Sequence, residues 1–459
     1  MEIFKNLNLK PFIFCLFLFF SITFLYAQKA DKKTKQQNDI YHNYNDLEVY
    51  KIFLDKVSQE NTALAEKNIK KQYSRIIEKK NTELIKQMQE NGFLFDTVAY
   101  PYLSAVFNYI LEKNSLDKKQ FHFFIDRSSE VNAYCYEDGT IICNLGLVSV
   151  LENESQAAMV FCHELGHFLL KHSNNAIISQ LQLFNSAEFN TRLKKIKNQK
   201  YNTKELLENV LMENTFDRSK HSRLQEKAAD SVGMLLYMNT KYNRSEVSRI
   251  FDLLDSTENK TRFCKINDFF RQENIKIDEE LLKPEKKMSF GAAKKKEVID
   301  SLKTHPDCAK RKVFMQTFFE KYPASGQQYI TGTQAKLAEV KKIAFFDEAG
   351  FSKEKDNLGF YFYQLIQNNA VFPNTNYIKT ALFNALLAIH ENYKAHTLYK
   401  VVSTQYIPER EGDEYIKLLR LFDRISLNEL AEIIKSYYQN SKSLINASTE
   451  SINALKNLN

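Results

Sequence analysis

The run AAMVFCHELGHFLLKH, residues 157–172, constrains this chain more than any other stretch. His163 and His167 stand four apart, so on a helix their imidazoles share one face and can converge on a single ion. Glu164 projects beside them, where a carboxylate can take a proton from a metal-activated water. Ala157, Ala158, Val160, Phe161, Leu165, Phe168 and Leu169 surround the triplet and predict a buried helix. Three titratable side chains in such a helix are costly unless they pair or ligate a metal. The competing reading is a pair of hydrogen-bonded core histidines.

A catalytic zinc takes three protein ligands and keeps one position open. The longer pattern that continues to a third histidine on the same segment needs Gly at 170 and His at 173, where this chain has Leu170 and Ser173. His172 lies five residues past His167, about 140° round a continuous helix and off the ligand face. A separate helix must therefore supply the third ligand. The best candidate is Arg223 to Tyr237, in which Glu226 and Asp230 are again i and i+4, while Ala228, Ala229 and Val232 keep the helix slim. Small residues let two helices approach closely enough to share a metal. Glu226 is the expected zinc ligand, and Asp230 is expected to hold a ligand histidine through its other ring nitrogen. A solvated acidic face is the alternative, and the apolar run Met234 to Met238 argues against it.

HELGH followed by R-x-x-E-x-x-A-D-x-x-G resembles family forty-eight of the zinc metallopeptidases, with Arg223, Glu226, Ala229, Asp230 and Gly233 matching. That family includes CAAX prenyl endopeptidases, HtpX-type membrane proteases and soluble periplasmic BepA-like proteases. Val131 to Val148 is similar to the Asn-Ala-aromatic hairpin that precedes the zinc helix in the family, with Glu137-Asp138-Gly139 at the turn instead of Pro-Gly-Gly. Asp-Gly is a good two-residue hairpin turn, and that register sets Cys135 opposite Ile142. THPDCAKR, with His305, Pro306 and Arg311, looks like the family's His-Pro element. The resemblance covers about residues 95–320. It implies zinc on His163, His167 and Glu226, one ion per chain, with Glu164 as proton shuttle. It also implies His305 or Arg311 as a second electrophile, and substrate backbone paired along Asn132, Ala133 and Tyr134. His305 has two other open roles, a plug in the fourth zinc position or a structural contact.

The expected fold is α+β: a mostly helical zincin-like metallopeptidase domain with a small β-sheet, followed by an all-α C-terminal domain. With only 11 Gly and 7 Pro in 459 residues, long helices are favoured over a turn-rich β architecture. Met1–Ala27 reads as a secretory signal, with Lys5 and Lys10 before the apolar stretch Phe12 to Leu25. An uncleaved membrane anchor is the alternative there. A helical region at 28–94, a metallopeptidase domain at 95–325 and a helical domain at 326–459, repeat-like in character, are expected to follow. Segments 335–346, 359–370, 376–393, 413–423 and 428–439 carry helical periodicity. No later stretch is apolar for 18 residues, so no transmembrane span is expected in the mature chain, only peripheral membrane association.

The net charge of +8 is spread along the chain without a nucleic-acid motif, which excludes nucleic acid as the expected partner. Cys135, Cys143, Cys162, Cys264 and Cys308 are odd in number and scattered, not a disulfide framework, although a Cys264–Cys308 bridge is conceivable. Together these readings point to a periplasmic zinc endopeptidase acting on misfolded or misassembled envelope polypeptides. The alternative is an envelope chaperone or assembly factor in which the helical C-terminal domain dominates.

Overall fold

The computed structural model describes residues 47–198, 223–259, 263–283, 308–319, 325–402 and 412–458. The chain divides into two compact units, one of Met1–Leu253 with Gly291–Val340, the other of Leu254–Phe290 with Lys341–Asn459. The described residues are mostly helical with one small sheet, as the sequence predicts. The signal-like segment and His305 lie outside the described residues.

In the first unit, β1 (His122–Asp126), β2 (Ala133–Cys135) and β3 (Thr140–Asn144) form a sheet in the order β1-β3-β2. β1 runs parallel to β3, and β2 runs antiparallel to it as the edge strand. Side chains alternate across the sheet. Phe124 and Ile142 pack with Tyr50, Leu54, Leu84 and Met88 of helices Leu47–Leu64 and Lys70–Gln89. Phe123 points the other way, its ring 5.1 Å from Phe161 of the histidine helix, Glu154–Leu169. The histidine helix therefore lies against the sheet face opposite the two N-terminal helices.

The hairpin register differs from the expected one. Tyr136 N–H donates to Thr140 O, and the loop between them is the three residues Glu137, Asp138 and Gly139. Gly139 sits at φ 89°, a left-handed conformation that suits glycine and turns a tight two-residue loop into a three-residue one. Cys135 consequently faces Ile141, not Ile142, and Ala133 faces Cys143. The half-buried Lys80 ammonium holds this turn, 2.7 Å from Glu137 and bonded to Asp138. Cys135, Cys143, Cys162 and Cys264 are free buried thiols.

Three residues, Asn153, Glu154 and Ser155, fix the start of the histidine helix. Asn153 caps it by accepting from Gln156 N–H. Glu154, fully buried, accepts from Tyr102 Oη at 2.9 Å, Tyr242 Oη at 2.5 Å, and the N–H groups of Ile330 and Thr331 at 3.0 and 2.8 Å. Ser155 adds a hydroxyl bond to Gln327 O. The 327–331 segment is thus strapped over the helix start, and the buried carboxylate has four donors to offset its desolvation.

The second unit is helical throughout its described residues. Leu358–Val371, Asn376–Lys394, Gly412–Arg424 and Leu427–Ser441 match the periodic segments, while Gln334–Glu354 runs well past its expected end and holds the division between units. Ile266, Phe269 and Phe270 join Phe362, Ile366, Leu382, Leu418 and Ile434 in one core. A buried Glu273–Lys379 pair at 2.5 Å, with Asn369 donating to the same carboxylate, ties helix Ile266–Gln272 to that core. Among the described residues, no helix is long and apolar enough to cross a membrane.

Candidate metal centre

The histidine helix meets a second helix, residues 223–238, through two glycines. A Cβ on Gly166 would lie 2.6 Å from Ala229 O, and one on Gly233 would lie 2.9 Å from His163 Cα. Neither position has room for a side chain, and that lack of room brings Glu226 and Asp230 to the histidines.

His163, His167 and Glu226 gather their donor atoms within 4.8 Å of one another. The two Nε2 atoms are 3.1 Å apart. The Glu226 carboxylate lies 3.4 Å from His163 Nε2 and 3.3 Å from His167 Nε2. Three corners of a tetrahedron around zinc, with bonds of about 2.0–2.1 Å, are separated by about 3.3 Å. Two imidazole nitrogens and a carboxylate with near-equal spacings at that value fit zinc in both donor type and size. Glu164 is buried beside them. Burial, and next the charge of Glu164, push the Cys135 thiol up.

Asp230 sits behind His163, with Oδ1 accepting from Nδ1 at 3.0 Å. That bond leaves Nε2 to face the other donors, as the expected division of labour between Glu226 and Asp230 requires. Burial and the Arg311 charge both disfavour a charged His163, but hydrogen bonds to Asp230 and Glu226 outweigh them and lift its pKa to about 9. Burial works against a charged Asp230 as well, yet bonds from Arg311 and His163 hold its carboxyl at about 2. The pocket favours positive charge among its carboxylates.

Arg311 differs from the expectation of an electrophile facing substrate. Its Nε and Nη2 donate to the two oxygens of Asp230 at 2.8 and 2.7 Å, and Nη1 lies 3.1 Å from Glu226. With all three nitrogens on carboxylates, the guanidinium braces them from behind. His305, the other candidate electrophile, lies outside the described residues.

The expected substrate strand is the sheet edge, but its three residues are not equivalent. Asn132 O accepts from Asn144 N–H and Tyr136 N–H donates to Thr140 O. Antiparallel alternation therefore turns the main chain of Asn132, Tyr134 and Tyr136 toward β3, and that of Ala133 and Cys135 outward. Ser173 Oγ donates to Cys135 O at 3.0 Å, which leaves Ala133 as the outward position of β2.

Sequence reasoning set His172 aside as a ligand, and it is not among the gathered donors, but it gave no sign that His172 reaches His167. Its Nδ1 lies 3.0 Å from His167 Nδ1. The histidine helix ends before Lys171, which is left-handed at φ 55°, and a new helix starts at His172. The 140° offset holds only for an unbroken helix, and a lysine gives no signal of a left-handed break.

The chain matches the family model described as peptidase family M48 over residues 99–316. It is similar to the beta-barrel assembly-enhancing protease of Yersinia pestis, 24% identical over 100 residues, or 22% of this chain and 21% of the relative. The protein of that name from Escherichia coli K12 is 28% identical over 85 residues, 18% of each chain. The matched segments span about a fifth of the length of these curated relatives.

Proposed function

The chain carries a peptidase family M48 domain over residues 99–316, and on that premise we propose that it is a zinc-dependent endopeptidase. The observation that carries the reading is the triangle of His163, His167 and Glu226, with sides of 3.1, 3.4 and 3.3 Å, beside the buried Glu164. His163, His167 and Glu226 hold the metal, which when bound polarises a peptide carbonyl and acidifies a water. Glu164 accepts the proton of that water and delivers it to the leaving amine. Asp230 keeps the His163 hydrogen on Nδ1, and Arg311 balances the charge of Glu226 and Asp230. The outward main chain of Ala133 pairs with an extended substrate, a mode that tolerates many side chains.

The substrates we propose are misfolded or misassembled envelope proteins, met in the periplasm. Supporting this are the secretory character of Met1–Ala27, a backbone-based substrate strand, and the name of the similar proteins, beta-barrel assembly-enhancing protease. The test is cleavage of an unfolded polypeptide, such as reduced and alkylated casein, by the full mature chain and by Glu164→Gln. The variant is expected to keep its zinc and lose cleavage, because it removes a proton carrier and no ligand. Undiminished cleavage with zinc in place would overturn the role of Glu164.

A further inference from the structure

A metal-bound imidazole has a second nitrogen, and whatever holds that nitrogen fixes the ring's angle at the metal. At His163 the holder is Asp230. At His167 it is another histidine: Nδ1 of His172 lies 3.0 Å from Nδ1 of His167, with the two rings edge to face and their centroids 5.0 Å apart. We propose that His172 is a positioning residue for His167, the counterpart of Asp230 on the other ligand. This rests on the zinc reading of His163, His167 and Glu226.

The hydrogens follow from the geometry. His167 turns Nε2 toward His163 and Glu226, 3.1 and 3.3 Å away, so its one hydrogen sits on Nδ1. That N–H donates to the lone pair on His172 Nδ1, and His172 carries its own hydrogen on Nε2. A neutral acceptor suits the charge balance here. Glu164, Glu226 and Asp230 already offset Arg311 and a divalent cation, and a fourth carboxylate would leave the buried site negative.

The chain fixes the turn that carries His172 on several sides. Leu170 N–H donates to Gly166 O and Lys171 N–H to Phe168 O, closing the histidine helix. Lys171, at φ 55° and ψ 33°, then swings the chain back so that His172 faces the helix it has just left. The next residue, Ser173, bonds Cys135 O on the edge strand, and Asn174 accepts from Tyr73 Oη at 2.8 Å. A holder has to be rigid to within about half an ångström to set a ligand, and these ties supply that rigidity. The same turn connects a metal ligand to the strand proposed to pair with substrate.

The test compares His172→Phe, which keeps a flat ring but has no acceptor, with His172→Asn, whose amide oxygen can take the place of Nδ1. Zinc dissociation constants are measured by chelator competition, together with the visible spectrum of the cobalt-substituted protein and the melting temperature without metal. His172→Phe should weaken zinc by roughly ten- to a hundredfold and alter the cobalt bands, with the metal-free melting temperature unchanged. His172→Asn should restore zinc binding and the spectrum to near those of the wild type. Wild-type zinc affinity in His172→Phe would overturn the role of His172 while leaving the metal site standing. So would equal loss in both variants alongside a lowered metal-free melting temperature, the mark of a packing residue. Failure of the wild type itself to bind zinc would instead overturn the metal reading beneath the proposal.

Discussion

Gly233→Ala tests how the two helices come to bring Glu226 up to His163 and His167. A Cβ at this position would lie 2.9 Å from His163 Cα and 3.0 Å from both Cys162 O and His163 N. All three are backbone atoms, so no flexible side chain can move aside. Ordinary carbon contacts are about 3.5–4.0 Å, so helix 223–238 must retreat by roughly 0.5–1 Å. The sides of 3.3 and 3.4 Å that join Glu226 to the histidines cross this same contact and would open by a similar amount. A zinc site tolerates only about 0.2 Å in its ligand distances, so affinity should fall by at least about tenfold. Overpacking costs about 1–3 kcal/mol, and the better helix propensity of alanine returns at most about 1 kcal/mol. Chelator competition reads the first effect and denaturant unfolding of the metal-free protein the second. Gly350→Ala is the control, since nothing lies within 4 Å of its Cβ, and it should be neutral or slightly stabilising. If Gly233→Ala bound zinc as tightly as the wild type with unchanged stability, close approach at Gly233 would not be what sets the ligand triangle.

Four other substitutions separate the parts of the account. Glu226→Gln should lose most bound zinc, whereas Asp230→Asn should remain loadable but bind roughly ten- to a hundredfold more weakly; equal zinc affinity in Glu226→Gln and the wild type would place the third ligand elsewhere. Glu154→Ala strands the donors of Tyr102, Tyr242, Ile330 and Thr331 and should cost roughly 3 kcal/mol or more in urea unfolding; a loss under about 1 kcal/mol would mean the strap is held by other contacts. Burial raises Asp126 to about 6, against bonds from Ser128 and Gln87 that lower it. Its folded pKa therefore exceeds the unfolded one, so its contribution is full below about pH 4 and is lost as pH rises toward 6, by roughly 2–3 kcal/mol. Asp126→Asn should flatten stability over that window, and an unchanged profile would refute the assignment.

The cluster of His163, His167 and Glu226 was legible because its residues repeat at helical spacing in two segments, each with the small or apolar neighbours that burial needs. The third ligand could be sought on a second helix once Leu170 and Ser173 ruled out the longer single-helix pattern. The hairpin was visible, but its register was not: Asp138-Gly139 serves a two-residue or a three-residue loop, and only the bond from Tyr136 to Thr140 decides. His172 was hidden by a left-handed lysine, and Arg311 by the fact that a motif gives proximity without direction. The pairing of Glu154 with Ile330 and Thr331 spans most of the peptidase domain in sequence, and no local pattern announces it. The parallel pairing of β1 with β3 was hidden in the same way, since β2 lies between them in the chain.

The central claim is that one zinc ion held by His163, His167 and Glu226 makes this chain a peptidase. Its most direct test is to strip the protein with a chelator and titrate zinc back while following cleavage of an unfolded polypeptide. Cleavage should vanish in the stripped protein and return in proportion to added zinc, reaching its plateau at about one equivalent per chain. Full cleavage by the stripped protein, or none at any zinc level, would contradict the account.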